Sequence, residues 1–174
     1  MVVWGSSLGW HCFFAALDLG VPCIGFDLLS SQVARATSIY AELGDGRSGM
    51  GTPAPVAFVH GDALSADYAL GPNARVLWIN DYAWSPVVRR RAMRKAAKEL
   101  PPGGILVCFR PLPGGGEDEE EKEGEEEEEE EANYTLGHQV QTAGGGLRLV
   151  ATVPVAVTWN AGQDVLVYVR EQLV

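Results

Sequence analysis

The 174-residue chain is 47% apolar and 21% charged, which gives it room for one hydrophobic core and not two. Its formal charge of −10 comes from one tract, because residues 117–131 hold 13 of the 23 acidic residues and one lysine, leaving 12 basic against 10 acidic residues elsewhere. Net charge therefore excludes no polyanionic partner, whereas Cys12, Cys23 and Cys108, without CxxC spacing, argue against a zinc or disulfide framework and for a reduced, intracellular chain.

The first 26 residues are apolar but carry no basic residue and are broken by Gly5, Gly9, Gly20 and Pro22, so they read as neither a signal peptide nor a membrane span. No run reaches the roughly 18 to 20 apolar residues a bilayer needs. Val2-Val3-Trp4 is a short β-prone run leading into Gly5-Ser6-Ser7-Leu8-Gly9. Residues 10–19 then have helical spacing up to Gly20, and residues 22–26 form a second strand. Residues 29–43 make a second helix with Ser30 or Ser31 as N-cap, and residues 44–55 form a loop before a third strand at 56–59. Residues 75–80 are a fourth strand. The helix over 86–100 starts on Pro86 and ends before Pro101-Pro102-Gly103-Gly104, ahead of a strand at 105–109.

Residues 114–133 cannot bury apolar area and repel themselves, so they read as a disordered acidic insertion within one domain spanning 1–174. Beyond it, the β-rich runs 147–158 and 164–170 are separated by too few residues for a helical crossover and must pair antiparallel. The expected fold class is α/β. It is a Rossmann-like, doubly wound, mostly parallel sheet closed by a C-terminal antiparallel hairpin, with its ligand crevice at the carboxyl edge.

Four places on that edge carry polar groups. Gly5, Ser7 and Gly9 lie in a strand-to-helix turn, where bare backbone and a helix N-terminus admit a cofactor, although an ordinary tight turn has the same composition. The nicotinamide fingerprint fails there, since its second and third glycines fall on Ser7 and Trp10. Asp27 follows Gly5 by 22 residues, near the spacing at which a carboxylate reaches a ribose, its bland alternative being a helix N-cap. Asp62 and Ala63 follow the third strand, where a carboxylate and a backbone N–H can read an adenine, or simply form a Gly-Asp turn. Asn80-Asp81-Tyr82-Ala83-Trp84-Ser85-Pro86 places polar and aromatic groups after a buried strand, where a substrate would meet the cofactor.

These four places together resemble a class I S-adenosylmethionine-dependent methyltransferase. The last box, Gly61-Asp62-Ala63-Leu64-Ser65, Arg110-Pro111 and the late Val157-Thr158-Trp159 are most similar to the disruptor-of-telomeric-silencing family, the non-SET histone lysine methyltransferases. The resemblance covers residues 2–113 and 147–170. It implies a seven-stranded methyltransferase sheet and S-adenosylmethionine as cofactor, with no metal. Gly5, Ser7, Gly9, Asp27, Asp62, Ala63 and Asn80 would bind the cofactor. Asn80 would also orient the attacking amine, with Tyr82 and Trp84 walling the approach and favouring a cation by cation–π contact. Asp81 is the candidate for the base, and a small molecule, another protein or an inactive scaffold role are the alternatives to a histone lysine.

Two departures stand out. Val3 occupies the position where that family carries an acid, and the chain starts inside the first strand, which reads as a core N-terminally incomplete for the cofactor lid and lysine channel. A histone or nucleosome partner would place the chain in the nucleus, other acceptors in the cytoplasm. Arg89, Arg90, Arg91, Arg94, Lys95 and Lys98 cluster on one helix, either as a patch for DNA or an acidic protein or as a solvated face. His11, His60 and His138 share no motif and read as packing or surface residues.

Overall fold

The computed structural model describes residues 1–45, 53–111, 140–142, 145–157 and 160–171. The acidic tract and His138 lie outside the described residues. Eleven elements follow in order: β1 (Val2–Trp4), α1 (Trp10–Leu17), β2 (Cys23–Asp27), α2 (Ser30–Asp45), β3 (Val56–His60), β4 (Val76–Ile79), α3 (Pro86–Glu99), β5 (Ile105–Cys108), β6 (Val140–Thr142), β7 (Gly145–Val157) and β8 (Asn160–Arg170). They form one eight-stranded sheet ordered β3-β2-β1-β4-β5-β8-β7-β6. The first five strands run parallel, and β8 inserts antiparallel between β5 and β7.

Two-residue periodicity distributes the core to both faces of the sheet. Val2, Trp4, Leu77, Ile79 and Leu106 point to the face covered by Ala92, Met93, Ala96, Ala97 and Leu100 of α3 and its end. Val3 and Cys23 point to the other face, against Cys12 and Ala15 of α1, with Phe58 and Trp78 alongside. Stacking of Phe13 on Tyr40, centroids 6.1 Å apart, joins α2 to α1 on that side. All three cysteines are buried free thiols. No helix among the described residues is long and apolar enough to cross a membrane.

The doubly wound sheet with a reversed terminal hairpin is the expected one, with three differences. An eighth strand, β6, pairs with β7 at the sheet edge; three residues are too few to announce a strand by alternation. The hairpin is longer than expected, since Val157 pairs with Asn160 and bulges between Leu149 and Ala151 and between Val155 and Val157 absorb its irregularity. Helix α1 stops at Leu17, because the Leu19 N–H turns back to the Phe14 carbonyl. Since β1 lies between β2 and β4, the strand order reverses there, and the crevice of such sheets lies outside the carboxyl ends of the strands at that reversal.

Candidate functional site

The loop after β1 folds over onto β2. Gly5 and Ser6 N–H both donate to the Phe26 carbonyl at 2.9 Å, and Gly9 N–H closes the loop on Ser6 O at 2.8 Å. Gly9 is the N-cap of α1 with φ +86°, and a Cβ there would sit 2.5 Å from Phe58 Cζ, so both backbone and neighbours require glycine. Ser7, where the fingerprint has a glycine, adopts φ 49°, so the loop keeps its left-handed residue at a modest strain. Its N–H donates to Asp27 Oδ2 at 2.8 Å.

Asp27 therefore has a structural and an exposed side. Its Oδ1 accepts from Leu29 N–H at 2.9 Å at the start of α2, the cap the sequence assigns to Ser30 or Ser31. Each oxygen uses one N–H, and a carboxylate has about four acceptor sites. The Gly61 N–H donates to Asp27 O at 3.0 Å, which brings Asp62 to the same edge, where its Oδ1 accepts from Leu64 N–H at 2.9 Å. Asp62 is exposed, whereas the Ala63 side chain belongs to the core under α3, so Ala63 presents only backbone.

Asn80 leaves β4 with its N–H on Trp4 O at 3.0 Å, and its amide nitrogen Nδ2 donates to Gly5 O at 3.3 Å across the reversal. A methyl on Gly5 would lie 3.5 Å from the Trp84 ring, so Gly5, Asn80 and Trp84 converge, with Trp84 half-buried against the core. Tyr82 does not line this convergence as a closed wall. It is 44% exposed, and the Arg110 guanidinium already lies 5.7 Å from its ring centroid, so the cation it faces is the chain's own.

Asp81 is fully buried, its Oδ2 accepting from Arg89 Nε at 2.9 Å and its Oδ1 from Phe109 N–H at 2.9 Å. A carboxylate held in this way is not placed to take a proton from an acceptor, which corrects Asp81 as the base. Arg89 also donates from Nη2 to Pro111 O. The pair thus ties the end of β4, the first turn of α3 and the residues after β5 into one unit. Arg89 is not part of a solvent patch, and neither is Lys95, which donates to Ser65 O at 2.9 Å and pairs with Glu99 at 3.0 Å. The signal for Arg89 was its helical row, shared with Ala92, Met93 and Ala96.

His11, His60 and Cys108 make structural contacts. His11 stacks on Trp78 at 4.4 Å, and burial lowers its pKa; His60 Nε2 lies 3.1 Å from Leu28 O. Burial, and next the Asp81 charge, push the Cys108 thiol far above its ordinary value. Val3 is fully buried between α1 and the sheet and contributes no charge to the site.

No family model and no curated protein sequence matches the chain. Among solved structures it is similar to an RNA methyltransferase from Salinibacter ruber in complex with S-adenosyl-L-homocysteine, at 18% identity and a TM-score of 0.60, over 99% of this chain and 81% of that one. It is also similar to an arsenic(III) S-adenosylmethionine methyltransferase from Chlamydomonas reinhardtii, at 23% identity and a TM-score of 0.52, over 64% of this chain and 40% of that one. At such identities the likeness is one of fold: this chain has the Rossmann-like fold of class I S-adenosylmethionine-dependent methyltransferases.

Proposed function

We propose that the chain binds S-adenosylmethionine outside the carboxyl ends of β1, β2 and β4 and transfers its methyl group. The observation that carries this reading is the double lock of the loop at residues 5–9, by Ser7 N–H on Asp27 and by Asn80 Nδ2 on Gly5 O, which gathers three separate strand ends into one crevice. The groups present fit the cofactor. The unused acceptor sites of Asp27 suit two ribose hydroxyls, Asp62 and the Ala63 backbone suit an adenine, and the first N–H groups of α1 with Gly5, Ser7 and Gly9 give close backbone approach.

When bound, the sulfonium supplies an electrophilic methyl, and the protein's task is alignment and exclusion of water. With Nδ2 spent on Gly5, the Asn80 side-chain oxygen is left to accept a hydrogen bond from an incoming amine. Trp84 shields the convergence from solvent, and Tyr82 stands at its mouth. The acceptor implied by resemblance is a protein lysine, as on a histone, and its support is the residue order from Asn80 to Pro86. Val3 favours a second reading, a cofactor-binding domain without turnover, because it withdraws an acid that the resembling family keeps at that position.

Calorimetry with S-adenosylhomocysteine tests the first step, and radiolabel transfer to nucleosomes, free histones, RNA and a small-molecule pool tests the second. Binding with transfer to a lysine supports the full reading, and binding without any transfer supports the scaffold. Absence of binding removes both.

A further inference from the structure

Helix α3 presents cations of two kinds. Arg89 and Lys95 turn inward, whereas Arg90, Arg91, Arg94 and Lys98 are exposed. Arg91, Arg94 and Lys98 follow one another at i, i+3 and i+7 on a single stripe with Arg90 beside it. From Arg90 to Lys98 the stripe runs about 12 Å at 1.5 Å per residue. The acid of this helix, Glu99, is held by Lys95 and by Leu70 N–H at 2.8 Å. Among the described residues no ion pair takes Arg90, Arg91 or Lys98.

The stripe leads to the candidate site. Ser85 caps α3 immediately after Trp84, its Oγ accepting from Val88 N–H at 3.4 Å. The Arg89 bond to Pro111 O draws the segment after β5 against the start of the helix. That puts exposed Arg110 at the site end of the stripe, over the exposed ring of Tyr82. A track of exposed cations therefore ends in an aromatic ring beside Asn80.

We propose that this track, Lys98, Arg94, Arg91, Arg90 and Arg110 with Tyr82 at its end, is a docking surface for the sugar–phosphate backbone of a nucleic acid. Arginine forks match phosphate oxygens bidentately. About 12 Å of helix matches the axial rise of three to four stacked nucleotides, at ~3.4 Å per strand. An aromatic ring backed by arginine suits an unpaired base better than a carboxylate side chain, which sets nucleic acid ahead of an acidic protein. The inference goes beyond methyl transfer and stands without it.

The test is fluorescence anisotropy of the full chain with a 20-nucleotide single-stranded RNA, a DNA of the same sequence and its duplex, and polyglutamate, at several salt concentrations. Binding to a single strand is expected with a slope of log K on log salt of about −2 to −3, at ~0.7 per phosphate contact. Arg90→Glu with Arg91→Glu should weaken it roughly tenfold at low salt and flatten the slope by about 1.4. Arg35→Glu, an exposed arginine on α2, which packs with α1 on the other face of the sheet, should leave it unchanged. RNA against DNA preference identifies which backbone is bound. Equal affinity of wild type and the double variant, absence of binding, or polyglutamate binding as tight as RNA overturns the proposal. Calorimetry with S-adenosylhomocysteine on the same double variant should match wild type, so loss of cofactor binding there is a separate failure, of the methyltransferase reading or of the fold.

Discussion

Asp81 and Arg89, eight residues apart in sequence, form an ion pair at 2.9 Å in which the carboxylate is fully buried and the guanidinium nearly so. Neither charge reaches the crevice, yet the pair fixes the segment that does, because Asp81 O also accepts from Trp84 N–H at 3.1 Å. Taking two charges out of water is repaid only while both are present.

Arg89→Met is therefore expected to cost about 3 to 5 kcal/mol of stability, since it leaves the Asp81 charge unpaired in the core. Combining it with Asp81→Asn should recover much of that loss. Urea denaturation of the two variants checks this, and a double variant no more stable than the single one would contradict it.

Asp27→Ala removes a carboxylate that both steadies Ser7 and faces the crevice. A charge-assisted hydrogen bond is worth ~1.5 to 3 kcal/mol, so S-adenosylhomocysteine should bind roughly 10- to 150-fold more weakly. Titration calorimetry measures this directly, and unchanged affinity would withdraw the ribose assignment.

Gly9→Ala and Gly103→Ala separate backbone strain from crowding. Both positions have positive φ, +86° and +75°, but the added methyl meets Phe58 Cζ at 2.5 Å in one and nothing within 4 Å in the other. The left-handed conformation costs about 1 to 2 kcal/mol and overpacking about 1 to 3 more. Gly103→Ala should show the first cost alone and Gly9→Ala both, as read from denaturation midpoints.

His11 gives the stability a pH dependence of known sign. Burial lowers its pKa from 6.5 in the folded chain, so as pH falls below 6.5 the unfolded chain takes up a proton that the folded chain refuses. Its contribution is complete above that value and is lost on acidification. Between pH 7.5 and 5.5 the Tm of wild type should therefore drop further than that of His11→Gln, and parallel curves would show that the ring takes up its proton equally in both states, so that burial does not lower its pKa.

Much of the fold was legible because strand and helix periods differ. Val2 and Trp4 against Val3, and Leu77 and Ile79 against Trp78, alternate as a sheet buried on both faces must. Gly5, Asp27 and Asn80 were legible as strand ends, where a crevice has to lie. What escaped were relationships that composition hides. Arg89, Arg90 and Arg91 look alike in sequence, but successive helical side chains diverge by about 100°, which sends one into the core and two to solvent. The contact of Arg110 with Tyr82 joins residues that only the pairing of β4 with β5 brings together.

The bond from Asn80 to Gly5 closes a gap of 75 residues, whereas Ser7 reaches Asp27 across 20. The two halves of the crevice therefore mature on different clocks. The glycine loop and Asp27 leave a ribosome before Asn80, which at about 5 to 20 residues per second follows Asp27 by some 3 to 11 seconds. Until β4 emerges, the β1 edge that will pair with it has no strand to pair with.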